Sequence, residues 1–405
     1  MRQQAYLDDN SQTRKTVIER LLDPSRILAM LVFVFLSIIT KPYGDPYSII
    51  VTSRNIGVYG FALDPVSNQV RAPLYYYLLY YFNDYYSILQ VILSVSVITL
   101  LSSISVKLRV KPSIFGFLLP ALYMLMTRTY VNSLTLLLLS LLLLATFSLF
   151  TDMEALTSGT CMLIIGAIAT LSFMLVITRE SMLMLPLLAI TPWIFLCREN
   201  LRIKRTLILF STALVGGWLF GYLAYSAYIS LSGLAPYSEF EWRKLSLWEV
   251  YVAFAYTYGS VIPWEVKPAD ICSYLFFLEI PDSVVIYITL LLRILIVALQ
   301  VLVSIPFIIG LYKAFKSINL DIYHEISVSY TVFSFLIIGG LFIVKRPGDF
   351  FKYFCYILPL SNYFISLGFN TIKEHSSTLY KLCALSYIVM LSLWTLRTLR
   401  LRFST

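Results

Sequence analysis

The chain has 405 residues, of which 59% are hydrophobic, 16% aromatic and 13% charged, with mean hydropathy +0.79. About a quarter of a water-soluble chain is charged, so this composition excludes a soluble multidomain protein and points to an all-α, polytopic membrane protein, since helices satisfy their own backbone in lipid. The net charge of +9 and pI near 9.1 do not indicate nucleic acid, because the Lys and Arg residues stand between apolar segments and do not share one face.

The five cysteines and two histidines hold no disulfide framework and no zinc spacing. Cys161, Cys355 and Cys383 lie in apolar runs and Cys197 abuts a basic cluster. No metal ligands are assigned on this basis.

In chain order, residues 1–23 are polar and mixed in charge and form a cytoplasmic segment. A membrane domain fills 24–396 and a basic tail occupies 397–405. Uncharged stretches of bilayer-spanning character are Ile27 to Thr40 (extending back to Pro24), Tyr85 to Val106, Pro112 to Thr127, Thr129 to Thr151 and Ala155 to Thr178. Ser181 to Cys197, Thr206 to about Leu231, Ser283 to Tyr312, Ile326 to Val344, Phe354 to about Asn370 and Leu382 to Leu396 follow. Together they make a bundle of about 11 spans. The first has no small-residue cleavage site after it, which marks an uncleaved span and not a signal peptide. Arg293 interrupts the eighth run, either as a functional residue or as one that snorkels or pairs within the bundle.

Basic residues set the orientation. Arg2, Arg14, Lys15, Arg20 and Arg26, the Lys107/Arg109/Lys111 turn and the Arg198/Arg202/Lys204/Arg205 turn read as cytoplasmic. Two long outer loops result, 41–84 and 232–282. An odd span number places the basic tail outside, against the same rule.

In the first outer loop, Asp45-Pro46 opens a segment with Ile49, Ser53, Ile56 and Tyr59 at helical spacing and Gly57 and Gly60 near its end, an interfacial amphipathic helix. Asp45 suits its N-cap, with Pro46 at the first helical position. Arg71 to Phe82, rich in tyrosine, forms a second short helix suited to the membrane–water boundary. Its tyrosines either anchor there or stack on a sugar ring. The second loop carries Glu239, Glu241, Trp242, Trp248, Trp264 and Asp270, acids and aromatics suited to carbohydrate, with no spacing that singles one out. His324 and His375 fall in inner loops, away from any outer base.

Asp45, then Arg54 nine residues later, Gly60 six after that, and Arg71-Ala-Pro-Leu-Tyr75 together resemble the first outer loop of the GT-C superfamily of membrane glycosyltransferases. Protein O-mannosyltransferases and aminoarabinose transferases belong to it. Thr178-Arg179-Glu180 with Pro186 resembles the start of their sixth span. Lys345-Arg-Pro-Gly-Asp-Phe-Phe-Lys352-Tyr with Leu358-Pro359 resembles their late outer loop. The resemblance covers residues 24 to 210 and this one later element. It departs from the family at Pro46, where many members carry a second acid, and at Ile49, often an aromatic.

The resemblance implies transfer of a sugar from a polyprenyl-phosphate donor to a lipid-linked glycan, lipid or protein acceptor on the outer face of a prokaryotic plasma membrane, with inversion. A divalent cation is an optional cofactor, and membrane lipids are the other partners. The chemistry needs one carboxylate as general base, a role Asp45 is placed to take. It also needs cations where phosphate charge develops. Arg71, Lys345 and Arg346, then Arg179 and Lys352, fit that role, while lipid headgroups offer each of them a competing use. Arg54, Tyr75 and Glu180 are candidates for the sugar or acceptor, Glu180 having also the option of pairing with Arg179 or capping a helix. Two other classes stay open, a lipid or oligosaccharide transporter and a lipid-linked glycan polymerase or ligase. The two halves of the chain do not resemble each other, and the ionisable residues gather at the outer interface, which favours an enzyme over a carrier built on repeats.

Overall fold

The computed structural model describes residues 23–40, 45–127, 130–151, 158–196, 201–236, 282–317, 321–344 and 355–403. The side chains of Asp45, Glu180 and Arg293 lie outside that description, as does most of the second long loop. Among the described residues the chain is helical, with two isolated β-bridges and no strand.

Helix α1 (Pro24–Ile39) begins with Asp23 as N-cap, its carboxylate accepting the Ser25 N–H, and Pro24 at the first position. After it come α2 (Asp45–Arg54), α3 (Ile56–Tyr59) and α4 (Pro73–Phe82), which lead through a 3-10 turn into α5 (Tyr86–Lys107). The bundle continues with α6 (Ile114–Phe117), α7 (Pro120–Met126), α8 (Val131–Thr151), α9 (Ser158–Thr178), α10 (Leu187–Leu196) and α11 (Leu201–Ser232). Helices α12 (Asp282–Lys316), α13 (Ile322–Val344), α14 (Ser361–His375) and α15 (Ser377–Phe403) complete it.

Among the described residues seven stretches are long and apolar enough to cross a membrane: α4 through α5, α8, α9, α11, 298–316 of α12, α13 to Gly340, and α15 to Leu396. Helix α1 and the segment Ser181–Leu196 are shorter apolar helices. Two expected spans take less regular forms. Residues 112–127 divide into α6 and α7 around Leu118-Leu119-Pro120, because proline removes an N–H and restrains the residue before it. The 354–370 stretch enters through a 3-10 turn at Leu358–Leu360 and becomes α14.

These breaks expose carbonyls that nothing within the helix can satisfy. Neighbouring side chains answer them. Gln90 on α5 donates to the Met126 carbonyl at the end of α7 (2.6 Å), Ser94 donates to the same oxygen (3.0 Å), and Ser133 takes the Leu125 carbonyl (3.0 Å). Asn362, fully buried, donates to the Ser113 carbonyl (3.0 Å) while its own oxygen accepts Ser105 (3.0 Å) and Ser366 (3.2 Å). The Ser113 N–H in turn bonds Ser366 (2.9 Å). An added Cβ at Gly116 would lie 2.6 Å from the Asn362 amide, so α6 must be small there to admit this knot.

Close backbone approach fixes two helix pairs. Helices α9 and α11 run parallel, with a Cβ at Gly217 overlapping the Ala169 carbonyl oxygen and one at Gly221 falling 3.0 Å from that of Phe173. Helices α12 and α14 run antiparallel, Gly310 lying against Phe364 and Gly368 against Pro306, where an added Cβ would overlap the facing carbonyl oxygens. Such small-residue contacts let apolar helices associate where lipid gives no hydrophobic drive between them. Between α9 and α11, α10 runs antiparallel to α11, held by Trp193 to Ser211 (3.0 Å) and Trp218 to the Leu183 carbonyl (3.2 Å).

Gly310→Leu or Gly368→Leu is expected to cost about 1–3 kcal/mol of stability, read as a lower midpoint in detergent thermal denaturation. Gly216→Ala, with nothing within 4 Å of the new methyl, serves as control and should leave the midpoint unchanged or raise it. Equal midpoints for the α12 and α14 variants and the control would refute this packing.

Candidate functional site at one end of the bundle

The first long loop folds into a platform. Helix α2 lies on α4, and Ile56, Ala62 and Tyr76 form a small apolar cluster with Ile49, Tyr77 and Val131. Val131 begins α8, so the platform sits over that end of the bundle. It also touches α9.

Residues 60–71 close on themselves. Gly60 ends α3 at φ 75°, a conformation that favours glycine. The Ala62 carbonyl accepts the Arg71 N–H (2.9 Å), Leu63 and Val70 form an antiparallel bridge, and Asn68 takes φ 55°. This loop is tied to the end of α11: the Tyr228 hydroxyl accepts the Ala62 N–H (2.8 Å), and the Val70 N–H reaches the Ala235 carbonyl (3.1 Å). Asn55 donates to the Leu63 carbonyl (2.8 Å) and Tyr77 to that of Gly60 (2.8 Å).

Asp64 organises the loop. It is 4% exposed, and one carboxylate oxygen accepts the N–H groups of Val66 (2.9 Å) and Ser67 (3.0 Å). The other accepts Arg71 through Nε (3.0 Å) and a terminal nitrogen. Burial by itself would raise the Asp64 carboxyl, but the Ser67 N–H, the Arg71 guanidinium and the Val66 N–H outweigh it and hold the group below the usual aspartate range.

The expected site residues fall as follows. Arg71 is joined to Asp64 at the start of α4. Arg54, at the end of α2, pairs with Asp84 at 2.7 Å in an exposed contact, the side chains being 58% and 72% accessible, where water and salt leave little net gain. Tyr75 is fully buried, its ring edge-on to Tyr76 at 6.3 Å, while Tyr80 and Tyr81 are the exposed tyrosines of α4. Arg179 is 5% exposed and extended (φ −156°, ψ 135°), separating α9 from the 3-10 turn Glu180–Met184. Asp45 is the first residue of α2, one position inside the helix from the N-cap place expected for it, so Pro46 is the second helical residue. The side chains of Asp45 and Glu180 lie outside the described residues, as do Lys345, Arg346 and Lys352.

Polar contacts place the described chain at Cys355 and Tyr356 beside Ser181, two residues after Arg179. Ser181 and Tyr356 share a hydrogen bond of 2.6 Å, Ser334 donates to the Tyr356 carbonyl (2.9 Å), and Asn132 donates to the Cys355 sulfur (3.4 Å). The ends of α8, α9 and α11 that carry Val131, Thr178 and Tyr228, and the chain at Cys355, thus share one end of the bundle. The other end carries Lys107, Arg109, Lys204, Arg205, Lys313 and Lys316, together with His324, whose Nδ1 lies 2.7 Å from Asp321.

Among the described residues no group of three or more His, Cys, Asp or Glu could hold a metal ion. Sequence reasoning passed over Asp64, Tyr228 and Asn55. Asp64-Pro65 followed by Ser67-Asn68 is a turn signature that could have identified the first. Nothing local marks Tyr228 as its partner. No known protein family, curated protein or solved structure matches the chain.

A carboxyl held low by folding stabilises the loop above its unfolded pKa, and that stabilisation disappears as pH falls through the folded value. Val66 and Ser67 amides, corrected for intrinsic exchange, should therefore stay protected in hydrogen–deuterium exchange down to roughly pH 4, where a free aspartate titrates, and open below it. Loss of protection already near neutral pH would refute the carboxylate's role in the turn.

Proposed function

We propose that the protein is an integral membrane glycosyltransferase with a GT-C-like bundle of membrane-crossing helices, in which α6–α7 completes a short crossing. It moves a sugar from a polyprenyl-phosphate donor to a lipid-linked glycan, lipid or protein acceptor on the outer face of a prokaryotic plasma membrane. The observation that supports this reading is convergence: the platform bearing Asp45, Arg54 and Arg71, the buried Arg179, and the chain that follows Lys345–Lys352 meet at one end of the bundle.

In this reaction an acceptor hydroxyl attacks the anomeric carbon, the bond to phosphate breaks, and the sugar inverts. Asp45 takes the hydroxyl proton as general base. The polyprenyl phosphate leaves against Arg71 and Arg179, with Lys345, Arg346 and Lys352 supplying further positive charge where the leaving group gains its own. Arg54, Tyr75 and Glu180 belong to the surroundings of sugar and acceptor, Tyr75 by shaping α4 from within. A divalent cation is an additional ligand whose effect the same assay can read.

Asn caps a helix as well as Asp does, so Asp45→Asn separates capping from base catalysis. Membranes holding wild type or Asp45→Asn at equal protein levels are supplied with labelled polyprenyl-phosphate sugars, with and without added magnesium. Wild type should transfer label and the variant should be slower by about 100-fold or more. Equal rates would reduce Asp45 to a cap and overturn this mechanism. No transfer by wild type from any donor would turn the assignment towards a carrier.

A further inference from the structure

Asp64 does two jobs with two oxygens, and the jobs are chemically separable. The oxygen bonded to the Val66 and Ser67 amides makes a local turn, something any short side chain with an acceptor can do. The other oxygen makes no turn contact among the bonds described; it holds Nε and one terminal nitrogen of Arg71. A guanidinium is a planar fork whose value to a phosphate depends on its orientation. Gripping one edge of that fork fixes its plane.

The grip is itself anchored. Asp64 bonds Gln69 (3.0 Å) and Asn68 (3.0 Å) through its own N–H and carbonyl. Tyr228 and Ala235 secure Ala62 and Val70 from the end of α11, and Asn55 secures Leu63 from the junction of α2 and α3. Arg71 therefore stands two residues before the start of α4 with its backbone and one face of its side chain held from two directions. Its side chain keeps 19% exposure against 6% for Asp64, so the pair presents the cation outward and the anion inward. Arg54, also paired to an acid, lacks this frame: its partner Asp84 is 72% accessible.

We infer that Asp64 is a positioning residue for Arg71, orienting the guanidinium toward the leaving phosphate of a polyprenyl-phosphate donor. This rests on the glycosyl transfer proposed above. A carboxylate in this place also limits the free charge of Arg71 in the ground state, so that the fork contributes mainly when the phosphate gains negative charge on bond cleavage.

The test uses purified full-length protein and a labelled polyprenyl-phosphate sugar, comparing wild type, Asp64→Asn, Arg71→Lys and the double variant, with kcat normalised to folded protein. Asparagine keeps an acceptor for the turn and loses the charge and the second acceptor. Asp64→Asn should lower kcat by about 10- to 100-fold, the scale expected of a misplaced catalytic group, with donor KM changed by less than about threefold. In the Arg71→Lys background the same substitution should add little, because a residue that acts through another is non-additive with it. Asp64→Ser, which also keeps an acceptor for the turn, repeats the comparison if the asparagine variant does not fold. Unchanged kcat per folded molecule, or full additivity with Arg71→Lys, would leave Asp64 a turn residue only and overturn the inference while transfer by wild type stands. No transfer by wild type from any donor would overturn the glycosyl-transfer reading and this inference with it.

Discussion

In a hydrocarbon environment a backbone N–H or C=O finds no water, and each one left open is costly. That constraint governs this fold more than any single contact. At several places where a helix stops inside the bundle, a polar side chain from a neighbour takes up the released carbonyl: Gln90, Ser94 and Ser133 at the end of α7, Asn362 at Ser113, and Ser334 at Tyr356. Trp218 serves Leu183 in the 3-10 turn before α10. Many other Ser and Thr side chains instead bond the carbonyl four residues back in their own helix, as Thr146, Ser304 and Ser386 do. Such bonds satisfy the hydroxyl but join nothing to anything. Polar adhesion between helices is therefore concentrated at the irregular places, and shape holds the rest.

The same economy explains how a loop becomes a site. Helices α9, α10 and α11 form a unit locked by Gly217, Gly221 and two tryptophan hydrogen bonds. That unit carries Arg179 at the end of one helix and Tyr228 near the end of another. Tyr228 then grips Ala62, which faces Arg71 through a backbone hydrogen bond. A cation on a surface loop and a cation at a helix end thus acquire a fixed relation through one rigid trio of helices. Preorganisation of this kind is what an electrostatic site needs, since donors that must be rearranged during reaction lose much of their effect.

Two Arg–Asp pairs on the platform show how burial decides the meaning of identical chemistry. Arg54–Asp84 is in water at both ends, and its geometry costs side-chain entropy for little gain. Arg71–Asp64 is largely withdrawn from water, with both carboxylate oxygens used. There the acid pays its desolvation with backbone N–H groups as well as with the cation, which is the condition under which a buried ion pair is tolerated.

Much of the fold was legible in the residue order. Apolar runs located α1, α5, α8, α9, α11, α12 and α13 to within about five residues, because span length is set by bilayer thickness and not by neighbours, while α15 outruns its expected span at both ends. Asp45-Pro46 marked the start of α2, because helix starts are governed by local dihedrals and orphan N–H groups, while the helix expected from Arg71 begins two residues later at Pro73. The order of residues also carried the basic character of one end and the gathering of acids, arginines and tyrosines in the first loop. It did not carry the division of 112–127 into α6 and α7 with Asn362 as its partner, since residues 113 and 362 are distant in the chain. Nor did it carry the burial of Tyr75 beside exposed Tyr81, because seven aromatics and leucines in succession have no periodicity to read. What the sequence by itself determined was which segments are helical and apolar and which residue types line the loops; only the tertiary structure decided that Asp64 belongs to Arg71 and Tyr228 to Ala62, because pairing across the bundle depends on where glycines let helices approach and on which broken backbone each polar side chain can reach.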